Sequence, residues 1–438
     1  MVFAHGIVGR ADLPIPAALF GAAAAIVLVV SFVALAAGWT RPRLERLSAR
    51  PWLRLPLAAD VALGTVGVVV FAACIYAGLA GTDVRSENLA PALVYIVFWV
   101  GVPVASLVLG DVFRLLSPWR AVARAAGALA ARAGGGGTGE PLPYPERLGR
   151  WPAVAGLVAF AICELCWTQG RDPQVLAVCA LVYFAVQLTG MGLYGVEAWS
   201  RHGDAFGIYF SLFASLSPVA RRADRRLVLR PPLVGAVGLE RPAGTVALLW
   251  VALGSTTFDG FTEGPLFSSV VPSVQAAFTA LGLSLGAALE WAFVVGLTAC
   301  VATVAVLYRL GAAGALRAYA HTLVPIVAAY VVAHYFSLLA YDGQTLWWLA
   351  QDPLGDPGDR IATAGGSIDY TVVSATGIWY VQIVALVTGH VAALVLAHDR
   401  ALALHASARE AVRSQVKMLG LMVGFTSLGL WLLSVSNA

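Results

Sequence analysis

The sequence predicts an all-α, polytopic integral membrane helix bundle: about ten transmembrane helices in one domain over residues 1–438, with both termini outside. Three observations predict it. Of 438 residues, 59% are apolar and only 12% are charged, whereas a soluble domain carries about 25% charge; too few charges remain to cover a water-facing surface. Apolar runs of the length that crosses a bilayer, about 20 residues, recur along the whole chain. Arginines gather in every second connection between those runs, which is the orientation signal of membrane proteins. The same composition excludes nucleic-acid binding, because the basic residues are scattered over short loops and form no continuous face. The five cysteines lie inside apolar runs, so no disulfide framework is expected.

Taken in order, the first sixteen residues place His5, Arg10, Asp12, Pro14 and Pro16 before a full-length span. This lacks the basic start and small-residue cleavage site of a secretory signal, and an ordered outer segment is expected. Ten spans follow, at about 17–39, 57–80, 90–110, 152–169, 174–196, 243–258, 287–310, 318–341, 372–397 and 416–435. The connection after span 1 carries Arg41, Arg43, Arg46, Arg50 and Arg54; that after span 3, Arg114, Arg120, Arg124, Arg132, Arg147 and Arg150; that after span 5, Arg221, Arg222, Arg225, Arg226 and Arg230. Arg309 and Arg317 follow span 7. Arg400, Arg409, Arg413 and Lys417 follow span 9. The outer loop at 342–371 is acidic instead, with five aspartates against Arg360. An eleventh span at 266–285, where Pro272, Ser273 and Gln275 interrupt an apolar run, would break the alternation, so that segment is read as non-crossing.

Within the cytoplasmic loop at 111–151, residues 111–132 set arginines among apolar residues and read as an amphipathic helix on the membrane surface. GGGGTGEP at 134–141 precedes no strand and reads as a loop, not a phosphate cradle. In the basic loop at 197–242, residues 205–217 are expected to lie along the surface as well, beside anionic headgroups.

Charged groups at bilayer depth are costly, and each is a candidate for function. The candidates are Glu164, Asp259, Glu290, His334 and His390, with Gln169, Gln187 and Gln382 as polar neighbours. At about 1.5 Å of rise per residue, Glu164, Asp259, Glu290, His334 and Gln169 all fall in the outer half of the bilayer, the side on which His5 also lies. Imidazole and carboxylates together suit a divalent metal, with His334, Glu290, Asp259, Glu164 and His5 as ligands, or a proton relay. The alternative is that each group satisfies an interhelical hydrogen bond. His390 lies roughly 12 Å deeper than His334, so one ion cannot bridge the two. Two haems at different depths, with His390 paired to His321, could. CELC at 163–166 resembles a redox CxxC, but within an apolar span it reads as packing cysteines. No GxSxG elbow or HExxH zinc motif is present.

Several runs carry a family resemblance: HGIVGRADLPIP (5–16), FGIYFSLFASLSP (206–218), STTFDGF (255–261), HTLVPIVAAYVVAHYFSLLAYDGQ (321–344) and VTGHVAALVLAHDRAL (387–402). Over nearly its whole length the chain resembles actinobacterial membrane proteins named fenitrothion hydrolase. The resemblance implies a plasma-membrane protein that hydrolyses an organophosphate triester. It supplies no catalytic motif, so no residue role is taken from it. Lys417 is the only lysine, which fits a GC-rich genome. Triester hydrolysis generally uses a metal-activated hydroxide, for which His334, Glu290 and Asp259 are the catalytic candidates. An apolar substrate could arrive from the lipid. Two other classes stay open: a haem- or copper-binding redox or metal-handling protein, and a proton-coupled transporter.

Overall fold

The computed structural model describes residues 17–133, 140–355 and 366–436. It is an all-α bundle. The helices used below are, in chain order, α1 (Ala17–Gly38), α2 (Leu57–Ala80), α3 (Leu89–Leu109) and α4 (Trp151–Leu165). They continue with α5 (Pro173–Tyr194), α6 (Ala205–Leu216), α7 (Thr245–Thr262) and α8 (Pro265–Ala280). The last are α9 (Leu285–Gly311), α10 (Leu316–Ala340), α11 (Ala375–Leu404) and α12 (Ala408–Ser436). Among the described residues, eight helices are long and apolar enough to cross a membrane: α1 to α5 and α9 to α11. Their outward faces carry bare aliphatic side chains, such as Ile26, Val30, Val61, Val69 and Val182. An apolar surface that extensive is stable against lipid and not against water.

Local chemistry sets the helix ends. Asn88, Asp204, Ser284 and Ser374 each accept a backbone N–H in the first turn of α3, α6, α9 and α11, satisfying donors the helix leaves open. Gly244 turns the chain into α7 at φ +87°, where a Cβ would also meet the Arg150 backbone at 2.9 Å. α10 and α11 pack closely at Gly389: a Cβ there would lie 2.3 Å from Ala329 Cβ and 2.7 Å from the Pro325 carbonyl oxygen. Small residues at such crossings let two helix backbones approach in an apolar medium.

The connections separate to two ends. At one end β1 (Arg50–Arg54) and β2 (Val219–Arg221) flank β3 (Arg226–Leu229) in an antiparallel sheet, with Arg50 and Val219 both opposite Leu229. There Arg221 grips both oxygens of Asp60, and Glu197 receives Arg114, Arg120 and Arg124. Asp399 accepts from the Trp39 indole and the Arg43 backbone. At the other end Arg85 pairs with Asp172 at 2.6 Å, and the Thr82 amide donates to the Leu354 carbonyl at 2.7 Å. The loops rich in arginine therefore meet one another, and the remaining loops meet at the opposite end.

Residues 205–217 do not lie on the surface. α6 is inside the bundle, with Tyr209, Phe210 and Phe213 fully buried. Phe206 and Phe210 meet Phe98 edge-on at 4.7 and 5.1 Å, a favoured aromatic geometry. The reason is legible afterwards: no residue of α6 is exposed, and even its Gly207, Ser211 and Ser215 stripe is half-buried, as suits an interior helix. Residues Pro118–Arg132 do form a helix, and its Trp119 and Arg120 are buried against protein while its later turns are exposed. The 266–285 segment contains α8, which folds back on the start of α9. Phe267 packs 5.0 Å from Phe293, the Gln275 amide donates to the Leu285 carbonyl at 3.0 Å, and Phe278 meets Trp291. Both halves of α8 thus contact the first turns of α9.

Candidate functional site

α7 carries STTFDGF into the bundle. Ser255, Thr256 and Thr257 return their hydroxyls to carbonyls of the preceding turn, which lets polar side chains ride in an apolar helix. One turn further, Asp259 meets α10. Asp259 Oδ2 stands 2.9 Å from His334 Nε2 and accepts the Tyr335 hydroxyl at 2.8 Å. All three side chains are largely buried, His334 and Asp259 with 9% and 13% of their side-chain surface exposed. Because Oδ2 already accepts from Tyr335, it faces His334 as an acceptor as well. Nε2 then carries the hydrogen, and in the neutral ring Nδ1 presents a lone pair.

Nδ1 makes no hydrogen bond among the described residues. It faces Gly260, where an added Cβ would lie 3.7 Å from both Nδ1 and Cε1. Glycine at this position leaves the nitrogen uncovered. Beyond it lies an apolar cavity of about 650 Å³, bounded by α7, α8, α9, α10, α11 and α12. His334 and His390 both stand on its wall.

Glu164 on α4 is buried and lies within electrostatic reach of Asp259 and Arg171. It makes no hydrogen bond among the described residues. Arg171 sits over the Tyr95 ring at 6.0 Å, and the Tyr95 hydroxyl donates to the Gly170 carbonyl at 2.8 Å. Tyr95 and Trp99 project from a π-helical stretch of α3, Ala92–Gly101. Wider helical turns of this kind are frequent at functional sites. Fully buried Tyr209, from α6, has a hydroxyl with no hydrogen-bond partner among the described residues and also lies within electrostatic reach of Glu164.

The structure therefore joins Asp259 to His334 and sets Glu164 near them. It does not bring Glu290 to them. The Glu290 carboxylate accepts the Thr168 amide at 3.1 Å and hydroxyl at 2.6 Å, fastening the α4–α5 loop to α9. Among the described residues no three His, Cys, Asp or Glu side chains gather as a metal-ion site, and His5 lies outside the described residues. His390, on the cavity wall, commits Nδ1 to the Leu386 carbonyl at 2.8 Å, and its Nε2 makes no hydrogen bond among the described residues. His321 is buried near Arg241 and Arg400 and is not on the cavity wall; its neighbours Thr322 and Leu323 are. Gln187 accepts the Trp199 indole, Gln169 is exposed and Gln382 is buried. Cys163 and Cys166 are free thiols, Cys166 packed beside Phe258.

Sequence reasoning missed Tyr335, Gly260, Arg171 and Tyr209. Tyr335 and Gly260 were within reach, since each adjoins a residue already singled out. Arg171 and Tyr209 come from a loop and from a helix expected at the surface, so depth gave no hint of them. Comparison with protein-family models, curated proteins and solved structures finds no match to this chain.

Proposed function

We propose that this protein is a ten-crossing plasma-membrane protein, with both termini on the Glu290 side, that hydrolyses an apolar ester or phosphotriester delivered from the lipid. The observation that carries this reading is the His334–Asp259 pair, which leaves Nδ1 bare toward an apolar cavity. His334 acts as general base. Water attacks the electrophilic centre while Nδ1 takes its proton; the bond to the ester oxygen breaks, and the imidazolium returns the proton so that the leaving group departs as an alcohol or phenol. Asp259 holds the ring and stabilises the imidazolium that forms, and Tyr335 holds Asp259. A side-chain base of this kind contributes roughly 10²- to 10⁴-fold in rate.

The metal-dependent form expected from the sequence needs three side chains around one ion. Its three-ligand set is not assembled among the described residues, because Glu290 is engaged by Thr168 and Asp259 by His334 and Tyr335. The resemblance to the fenitrothion hydrolases supports the substrate class, and fenitrothion is the first substrate to try. Purified protein in lipid vesicles is expected to hydrolyse it above the buffer rate, and His334→Ala to return the rate to that of buffer. No turnover by the wild-type protein would remove the hydrolase reading.

A second reading, proton-coupled transport, is favoured by one observation: Glu164 and Asp259 place two carboxyl groups near each other inside an apolar bundle. Proton movement without bond cleavage, measured with a pH dye trapped in vesicles, distinguishes it from hydrolysis.

A further inference from the structure

The cavity has a shape and a polarity that specify more than an apolar ligand. Along α9 its wall runs from Ala292 to Gly311, which at 1.5 Å per residue is about 29 Å. The hydrocarbon core of a bilayer is about 30 Å thick. A cavity of about 650 Å³ drawn out over that length is a groove. Gly311 closes its far end, where a Cβ would lie 3.0 Å from Leu421 Cδ1 on α12.

The hydroxyls along the groove offer a ligand little. Thr256, Thr257, Thr303 and Thr322 each donate to a carbonyl of their own helical segment, and the Tyr308 hydroxyl donates to the Leu316 carbonyl. Apart from the weakly polar Cys300 thiol, the wall groups with an uncommitted polar atom among the described residues are His334, through Nδ1, His390, through Nε2, and the Tyr330 hydroxyl. His390 is only 1% exposed, and its ring lies 6.3 Å from that of Tyr330, one helical turn before His334. Ligand-directed polarity is thus confined to one stretch of an otherwise apolar groove.

We propose that the groove binds a single-tailed amphiphile, an alkyl or isoprenoid chain lying along α9 toward Gly311, with a hydrogen-bonding head against His334, Tyr330 and His390. This deepens the hydrolase reading by naming its substrate class. It relies on that reading only for the chemistry at the head, not for capture of the chain.

The test uses the full chain in phosphatidylcholine vesicles with a palmitate carrying a diazirine at the end of its tail. After photolysis, labelled peptides are mapped by mass spectrometry. Labelling is expected on the groove side of α9 and on Met418 and Met422 of α12, and excess palmitate should compete it away. Ala299→Trp and Thr303→Trp fill the groove at positions already exposed, and each should cut the competable label at least several-fold. Val306→Trp, exposed but outside the groove, should leave it unchanged. Label that excess palmitate does not displace, or that persists in both groove variants, overturns the proposal. His334→Ala separates the two claims. Retained capture with lost turnover supports both. Retained capture with unchanged turnover removes the hydrolase reading and leaves the groove assignment standing. Lost capture in the wild-type protein with His334-dependent turnover does the reverse.

Discussion

His334 and Asp259 are 75 residues apart in sequence and 2.9 Å apart in space, joined Nε2 to Oδ2. Tyr335 adds its hydroxyl to the same oxygen at 2.8 Å. Two neighbouring residues of α10 thus converge on one carboxylate oxygen of α7, and the outer ring nitrogen of His334 is left for the cavity. Replacing Asp259 by Asn keeps the shape, and its amide oxygen can still accept from both donors. The negative charge that stabilises the imidazolium is lost. Hydrolysis is expected to fall by roughly 10²- to 10⁴-fold with a melting temperature close to that of the wild type. Asp259→Ala strands two buried donors and should also cost about 1–3 kcal/mol of stability.

Gly260 gives a sharper separation of function from folding. In a helix, Gly→Ala is worth about 0.5–1 kcal/mol of stability, and the new Cβ would sit in ordinary contact, 3.7 Å from the His334 ring. Gly260→Ala should therefore melt higher and turn over more slowly. Gly260→Leu should abolish turnover. Thermal unfolding and initial rates on the same preparation check both.

Glu164 is buried without a hydrogen bond among the described residues, so it is a poor stabiliser of the bundle. Glu164→Leu, which removes a polar group of this kind from the interior, is expected to be neutral or stabilising. If Glu164 serves the Asp259–His334 pair electrostatically, the same variant shifts the pH–rate profile, while Glu164→Gln shifts it similarly and leaves melting unchanged.

The Glu197 cluster at the arginine-rich end predicts a pH dependence of stability. Burial raises the Glu197 carboxyl, but the guanidiniums of Arg120, Arg124 and Arg114 outweigh burial and bring it down to about 2, from an ordinary value of about 4.3. A depressed carboxyl stabilises the fold fully above its ordinary value. That contribution fades as pH falls through about 4.3 toward 2. Glu197→Gln should therefore melt below the wild type at neutral pH, and the difference should shrink across that acid window. Melting curves from pH 7 to pH 2.5 measure it.

Gly389→Leu is expected to abolish stable folding, because the side chain would overlap Ala329 and the Pro325 carbonyl where α11 packs on α10. Gel filtration in detergent reports it as lost monodisperse protein.

Much of the bundle was legible because lipid imposes a simple grammar. Runs of valine, alanine and leucine about as long as the bilayer is thick read as helices able to cross it, and arginines mark the connections that meet at one end. The reading failed at α6, since a 12-residue apolar helix is too short to cross and yet too evenly apolar for a surface. Its burial depends on Phe98 and Phe113, which lie about a hundred residues earlier. The site was half legible. Depth along each span put Asp259 and His334 at one height, but depth carries no lateral information. Nothing in the sequence told Glu290, which fastens a loop, from Glu164, which faces the core. Nor could it show that His390, judged too deep to join His334, shares a cavity wall with it, because a groove along α9 connects levels that one ion cannot.

The most direct test of the account is whether His334 presents a free lone pair to the cavity. Diethyl pyrocarbonate acylates neutral imidazole nitrogens, and modified residues are located by mass spectrometry. The account predicts that His334 is modified in the wild-type protein at a rate that Gly260→Leu sharply reduces, with exposed His405 reacting equally in both. An unmodified His334 beside fully modified His405 would contradict it.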